Sequence, residues 1–272
     1  MASIDPEIAA YYQRAPEESR LEVGSFPLEE LRTRELIQRY APAPPAVVLD
    51  VGGAAGAYAF WLAELGYTVR LVDAVPRLVE LACARNERAA HPLSACSVGD
   101  ARALAEPSGS AAMVLLLGPL YHLVHPEDRH RALVEAARVL QPGGILIAAG
   151  ISRYASALDG LARELLLDQA FAQIMEGDLR DGRHRNPTQR LDYFTTAYFH
   201  RPDELRTEVT RANLEIEGLY GVEGPGWMLP DFSDRWGDPA RRDILLKVAR
   251  ALESEPGMLG CSAHLLAIGR KP

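Results

Sequence analysis

The stretch Val47-Val48-Leu49-Asp50-Val51-Gly52-Gly53-Ala54-Ala55-Gly56, followed by residues 57–66, constrains the fold most. Its apolar run is short and β-branched, as in a strand buried on both faces of a parallel sheet. The glycines mark a tight turn, and Ala57-Tyr58-Ala59-Phe60-Trp61-Leu62-Ala63-Glu64-Leu65 reads as a helix stopped by Gly66. Gly52, Gly53 and Gly56 lack Cβ atoms, so a ligand could approach the backbone closely. The helix start near Gly56 directs free N–H groups and partial positive charge toward the same place. The alternative is an ordinary βα turn built of small residues.

The next strand adds weight to a ligand. Thr68-Val69-Arg70-Leu71-Val72-Asp73 ends in a carboxylate 17 residues after Gly56. An acid so placed can accept hydrogen bonds from ribose hydroxyls, although Asp73 could also cap the helix opened by Pro76. A third strand, Ser94 to Val98, ends in Gly99-Asp100-Ala101. Asp100 there is either a partner for an adenine amine or a turn residue. Ala112 to Leu117 is a fourth strand, leading into Gly118-Pro119-Leu120-Tyr121-His122. Polar groups at the carboxyl end of a parallel strand face the ligand crevice, which makes Tyr121 and His122 candidates for chemistry. A helix from Pro126 to Leu140 and a fifth strand, Ile145 to Gly150, follow. Strands alternating with helices predict a doubly wound, mostly parallel α/β sheet.

Four segments are expected. Residues 1–46 form an N-terminal helical arm, stopped by Pro42-Ala43-Pro44-Pro45. Its Tyr11, Tyr12, Arg14 and Arg20 suit either a solvated amphipathic helix or a flap over the ligand. Residues 47–150 form the nucleotide-binding core. Residues 151–200 break the alternation and read as an inserted helical cap, with a basic loop at 180–190 and an aromatic run from Tyr193 to His200. Residues 201–272 complete the sheet with a half-exposed strand at 214–220 and a last strand at 262–269.

The net charge of −8 disfavours nucleic acid as a partner. No 18-residue apolar run predicts a transmembrane helix, and Met1 to Pro6 lacks the features of a secretory signal. Cys83, Cys96 and Cys261 have no metal-ligand spacing, so free thiols and a cytoplasmic location are expected. His122, His125 and His130 match one helix face poorly, and no metal is expected.

With Asp50-Val51-Gly52-Gly53-Ala54-Ala55-Gly56, Asp73 and Gly99-Asp100-Ala101, the chain resembles the class I S-adenosylmethionine-dependent methyltransferases. The likeness covers residues 47–150 and implies a Rossmann-like, seven-stranded sheet with a reversed last strand. The family's motif is D/E-x-G-x-G-x-G; Ala54 stands at the second glycine, where Gly53 is expected to supply the flexibility. An acid that often opens the family's fourth strand is replaced by Ala112. The resemblance implies that Gly52, Gly53 and Gly56 line the methionine part of S-adenosyl-L-methionine. It implies further that Asp73 meets ribose, Asp100 and Ala101 meet adenine, and Leu117 and Gly118 flank the sulfonium. The Asn/Asp-Pro-Pro-Tyr/Phe signature of base and glutamine-amide methylation is replaced by Gly118-Pro119-Leu120-Tyr121, which speaks against those acceptors.

Methyl transfer to a small-molecule acceptor is therefore the expected activity. His122 and His200 are the candidate bases, with Tyr12 and Tyr198 as positioning groups. Transfer of the aminocarboxypropyl arm of the same cofactor, an NAD-dependent oxidoreductase and a non-catalytic binding protein are the alternatives. The turn lacks the G-x-G-x-x-G spacing that NAD would favour. The oligomeric state is left open, a homodimer included.

Overall fold

The computed structural model describes residues 5–15, 24–188 and 190–272. Arg20 of the arm lies outside them. The arm holds α1 (Pro6–Arg14) and α2 (Phe26–Tyr40). Each carries proline in its first turn, and the Asp5 carboxylate accepts the Glu7 N–H to cap α1.

The core then alternates as the patterning requires. It runs β1 (Val47–Val51), α3 (Ala57–Glu64), β2 (Thr68–Asp73), α4 (Pro76–Asn86), β3 (Ala95–Val98) and β4 (Ala111–Leu116). A one-turn α5 (Pro119–His122), α6 (Pro126–Val139) and the long β5 (Leu140–Ser152) follow. Gln141 to Gly144, expected as a turn, join β5 with a register irregularity opposite Ala111 and Met113.

Residues 151–200 are only partly helical. After α7 (Ala155–Ala162) and α8 (Gln169–Asp181) come two short antiparallel strands, β6 (Arg183–His184) and β7 (Ala197–His200). The chain ends with α9 (Pro202–Arg211), β8 (Glu215–Gly221), α10 (Phe232–Gly237), α11 (Pro239–Leu252) and β9 (His264–Arg270).

The sheet runs β3-β2-β1-β4-β5-β9-β8, with β9 antiparallel to both neighbours, as expected of seven strands with a reversed last one; β6 and β7 raise the total to nine. Ile151 of β5 pairs with His264 of β9 and with Phe199 of β7. Since β9 takes one edge, β7 must take the other, just past the end of β4. This seats the β6–β7 unit above α5, at the carboxyl ends of the strands.

Strand alternation divides the core between two faces. Met113, Leu115, Ile145 and Ile147 pack with Leu36, Phe60 and Leu62 of α2 and α3. Val114, Leu116, Leu146 and Ala148 pack with Leu133 and Ala136 of α6 and Leu205 of α9. α2 is further fastened to α11 by the buried Arg32, which pairs with Glu35 and Glu253. No helix among the described residues is long and apolar enough to cross a membrane.

Leu115 is wholly buried in the central β4. Leu115→Ala should lower unfolding free energy by about 2–5 kcal/mol, seen as a lower urea midpoint at unchanged slope.

Candidate active site

The first turn is held by the strand beside it. Val72 O of β2 accepts the N–H groups of Gly52 (2.7 Å) and Gly53 (3.4 Å). The Asp73 carboxylate accepts from Ala54 N (2.9 Å) and Val75 N (2.8 Å), so one side chain fixes the turn and the start of α4. Ala54 has φ 50°, and Gly53 is not among the positive-φ residues. The expectation that Gly53 supplies the flexibility missing at Ala54 is therefore corrected: Ala54 adopts the left-handed conformation itself, at a cost of about 1–2 kcal/mol. Gly53 serves close approach instead, because a Cβ there would lie 2.7 Å from Asp50 Oδ2. Gly52, at φ 73°, leaves room for Pro119, whose Cδ would lie 2.6 Å from a Cβ. The turns after β1 and β4 thus interlock.

Asp50 and Asp73 end neighbouring strands and are 1% and 7% exposed. Burial, with the nearby Asp73 charge, raises the Asp50 carboxyl to about 7, and its Oδ2 has no hydrogen-bond partner. Burial also raises Asp73, opposed by its backbone N–H donors. Asp100 differs: burial would raise it, but hydrogen bonds and charge from Arg102 hold it below the ordinary range. Arg102 bonds Asp100 (2.7 Å) and Asp128 (3.1 Å).

These groups line a cavity of about 850 Å³ that runs from Asp73, Asp100 and Ala101, past Gly52, Gly53, Leu117 and Gly118, to Tyr12, Tyr121 and His122. Two groups missed by the motif reading, Asp50 and Ala54, line it too; the signal for Asp50 was its place as the acid at the end of β1.

At the far end, His122 Nδ1 lies 3.3 Å from Thr196 O and Nε2 lies 2.7 Å from the Tyr12 hydroxyl. A carbonyl only accepts, so Nδ1 carries the proton and the Nε2 lone pair accepts from Tyr12. Burial lowers the imidazole to about 4, the Thr196 hydrogen bond opposing, so His122 is neutral near pH 7. α1 closes this end. Its Asp5, Ile8 and Tyr12 face the cavity, while Glu7 bonds the Thr196 hydroxyl and Tyr11 meets Phe194 edge to face at 5.6 Å.

Three expected site residues do not reach the cavity. Gly56, at φ 86°, packs against Phe60. His200 and Tyr198 belong to a charged cluster behind the cavity, because alternation along β7 turns both toward α6 and α9. His200 Nε2 lies 3.2 Å from Glu208, and the Tyr198 ring stacks under Arg129 at 3.7 Å. Burial would raise Glu208, but hydrogen bonds from His200 and Arg129 hold it at about 2. Arg129 also donates to Leu123 O (2.8 Å) and Val124 O (2.9 Å), bracing the loop that follows His122. His125, the N-cap of α6, lines the cavity as well, whereas His130 is exposed on α6 and does not. Glu29, Glu223 and His264 do bring donor atoms within 4.8 Å of one another, outside the cavity.

Residues 48–144 match the family model of the methyltransferase domain. A ubiquinone biosynthesis O-methyltransferase of Paracidovorax citrulli is 30% identical over 226 residues, spanning 82% of this chain and 87% of that protein. The chain belongs to the class I S-adenosylmethionine-dependent methyltransferases. A second ubiquinone biosynthesis O-methyltransferase, of Caulobacter sp. strain K31, is 26% identical over 197 residues, 72% of this chain and 68% of that one. A solved S-adenosylmethionine-dependent methyltransferase of Methanosarcina mazei shares the fold, with TM-score 0.59 at 18% identity, covering 87% of this chain and 96% of its own. This methyltransferase is thus an enzyme that transfers a methyl group from S-adenosylmethionine to a small-molecule acceptor. None of these three relatives is named for aminocarboxypropyl transfer, NAD chemistry or a non-catalytic role.

The cavity suits that cofactor on the structure's own terms. It holds an unpartnered buried carboxylate oxygen at Asp50, and Gly52 and Gly53 bring bare backbone to its wall. A cationic ligand group beside Asp50 would hold it ionised. S-adenosylmethionine should therefore bind more tightly at pH 8 than at pH 6 and release protons on binding near pH 7. Calorimetry in buffers of different ionisation heat reads that release, which Asp50→Asn should abolish.

Proposed function

We propose that this methyltransferase acts on a hydroxyl group and that His122 is its general base. The observation that carries the proposal is the neutral His122 Nε2, exposed as an acceptor inside the cavity and already bonded to one hydroxyl, that of Tyr12. The names of the two bacterial relatives, both O-methyltransferases, support the same acceptor atom.

In this reading Gly52, Gly53, Asp73, Asp100, Ala101, Leu117 and Gly118 hold the cofactor, joined by Asp50. When bound, S-adenosylmethionine supplies an electrophilic methyl group on a positively charged sulfur. The chain's own work is alignment and proton removal. Alignment of two bound reactants can supply about 7–11 kcal/mol of the barrier. His122 Nε2 takes the acceptor's proton while Thr196 O holds the ring in one tautomer; a positioned base contributes roughly 10²–10⁴-fold. Tyr12 must yield its hydrogen bond for the acceptor to take its place, so α1 (within the arm 1–46) and the cap 151–200 act as the acceptor-binding parts. A cytoplasmic location accords with the three unpaired cysteines.

His122→Ala should lower kcat by roughly 10²–10⁴-fold with S-adenosylmethionine affinity unchanged. The wild-type kcat at saturating S-adenosylmethionine should be flat from pH 8 down to about 6 and fall as His122 protonates toward its value of about 4. A pH–rate profile and a binding titration on the same variant check both; an unchanged kcat removes His122 from the chemistry.

A further inference from the structure

Charges on the cavity wall are almost all accounted for. Arg34 pairs with Glu30 at 2.6 Å. Arg102 is divided between Asp100 and Asp128. Arg85 lies over the Phe60 ring at 4.1 Å. Arg185 alone among the cavity's described arginines has no carboxylate, carbonyl or ring partner, although it lines the same space.

Its backbone is nonetheless held on both sides. His184, 1% exposed, has both ring nitrogens engaged, by Asp178 (2.8 Å) and by Tyr193 O (2.8 Å), and stacks on Phe199 at 4.8 Å. On the other side, Asn186 Nδ2 donates to Phe194 O and Arg190 O, each at 2.7 Å. The neighbouring Arg190 is spent on Asp192 and Asp168. Among the described residues Arg185 is therefore a cation without a counter-ion, carried on an anchored segment.

The anchor also decides which end of the cavity it serves. His184 pairs with Ala197 of β7, and the adjacent Thr196 is the residue that bonds His122. Arg185 thus belongs to the acceptor end, across the cavity from Asp73 and Asp100. An unpaired guanidinium presents a planar fork suited to carboxylate or phosphate oxygens.

We infer that the acceptor carries an anionic oxygen group, carboxylate or phosphate, that pairs with Arg185 while the hydroxyl to be methylated faces His122. This rests on the acceptor site proposed above and names the substrate class for it. Binding of the anion would complete the pairing along the wall and orient the hydroxyl. Because Arg185 is exposed, the pair sets acceptor choice more than total affinity.

The test titrates the protein, saturated with S-adenosylhomocysteine, with 3,4-dihydroxybenzoate, its methyl ester and catechol monophosphate. The acid or the phosphate should bind about three- to tenfold more tightly than the ester. Arg185→Ala should erase that preference, and Arg185→Lys should retain part of it. Cofactor affinity serves as the folding control, and the acid and phosphate arms separate the two anions. Equal binding of acid and ester, a preference that survives Arg185→Ala, or no binding of either anion overturns the inference. Methylation of acid and ester with equal kcat/KM, both dependent on His122, would leave the acceptor site standing while the role of Arg185 falls. Failure of S-adenosylhomocysteine to bind would instead strike the cofactor site itself.

Discussion

One carboxylate, that of Asp73, organises the ligand end of this methyltransferase. By accepting from Ala54 N and Val75 N it ties the turn after β1 to the helix after β2. The turn can then afford Ala54 at positive φ, because surrounding bonds over-determine its conformation. The same fixity creates the electrostatic tension at Asp50, buried close to a second acid and left with an unsatisfied oxygen. Buried like charges without a partner are costly. A cation-bearing ligand beside Asp50 would relieve that cost.

The opposite end of the cavity is built by quite different means. Here the chain relies on aromatic contact and enclosure rather than on a tight turn. α1, the β6–β7 unit and α5 come from distant parts of the chain and meet around His122. Their rings pack edge to face: Tyr12 lies 5.4 Å and Tyr121 4.8 Å from the imidazole. This enclosure keeps the imidazole neutral, and the Thr196 carbonyl selects its tautomer. Behind it, the Arg129–Glu208–His200 cluster braces the loop 123–125 from the buried side. His200 and Tyr198 thus support the site's architecture without touching its contents.

The end of the cavity proposed for the cofactor was legible because its elements are local. Gly52, Gly53 and the Asp73 carboxylate sit at strand ends whose identity follows from short apolar runs, and parallel pairing necessarily brings such ends together; Asp50, near the end of β1, was passed over although it shares that position. Gly56 was misplaced by a subtler matter, the direction in which a helix-start glycine faces. The acceptor end was much less legible. His122 was recognised from its position after β4, yet nothing in the chain's periodicity said that Tyr12, 110 residues away, would meet it. His200 was expected as a second base from its place at the end of an aromatic run, where no strand was expected. Only the seating of β7 on the free edge of β5 turned its side chain away.

The sequence by itself determined the alternating α/β order, the parallel core and the carboxylates at its strand ends, because hydrophobic period and glycine placement act over a few residues. Tertiary structure alone decided that His122 and not His200 faces the cavity, how α1 covers it and that Arg185 has no counter-ion among the described residues. Those outcomes depend on packing between segments far apart in the chain, where a side chain's direction is set by its neighbours in space rather than by its neighbours in sequence.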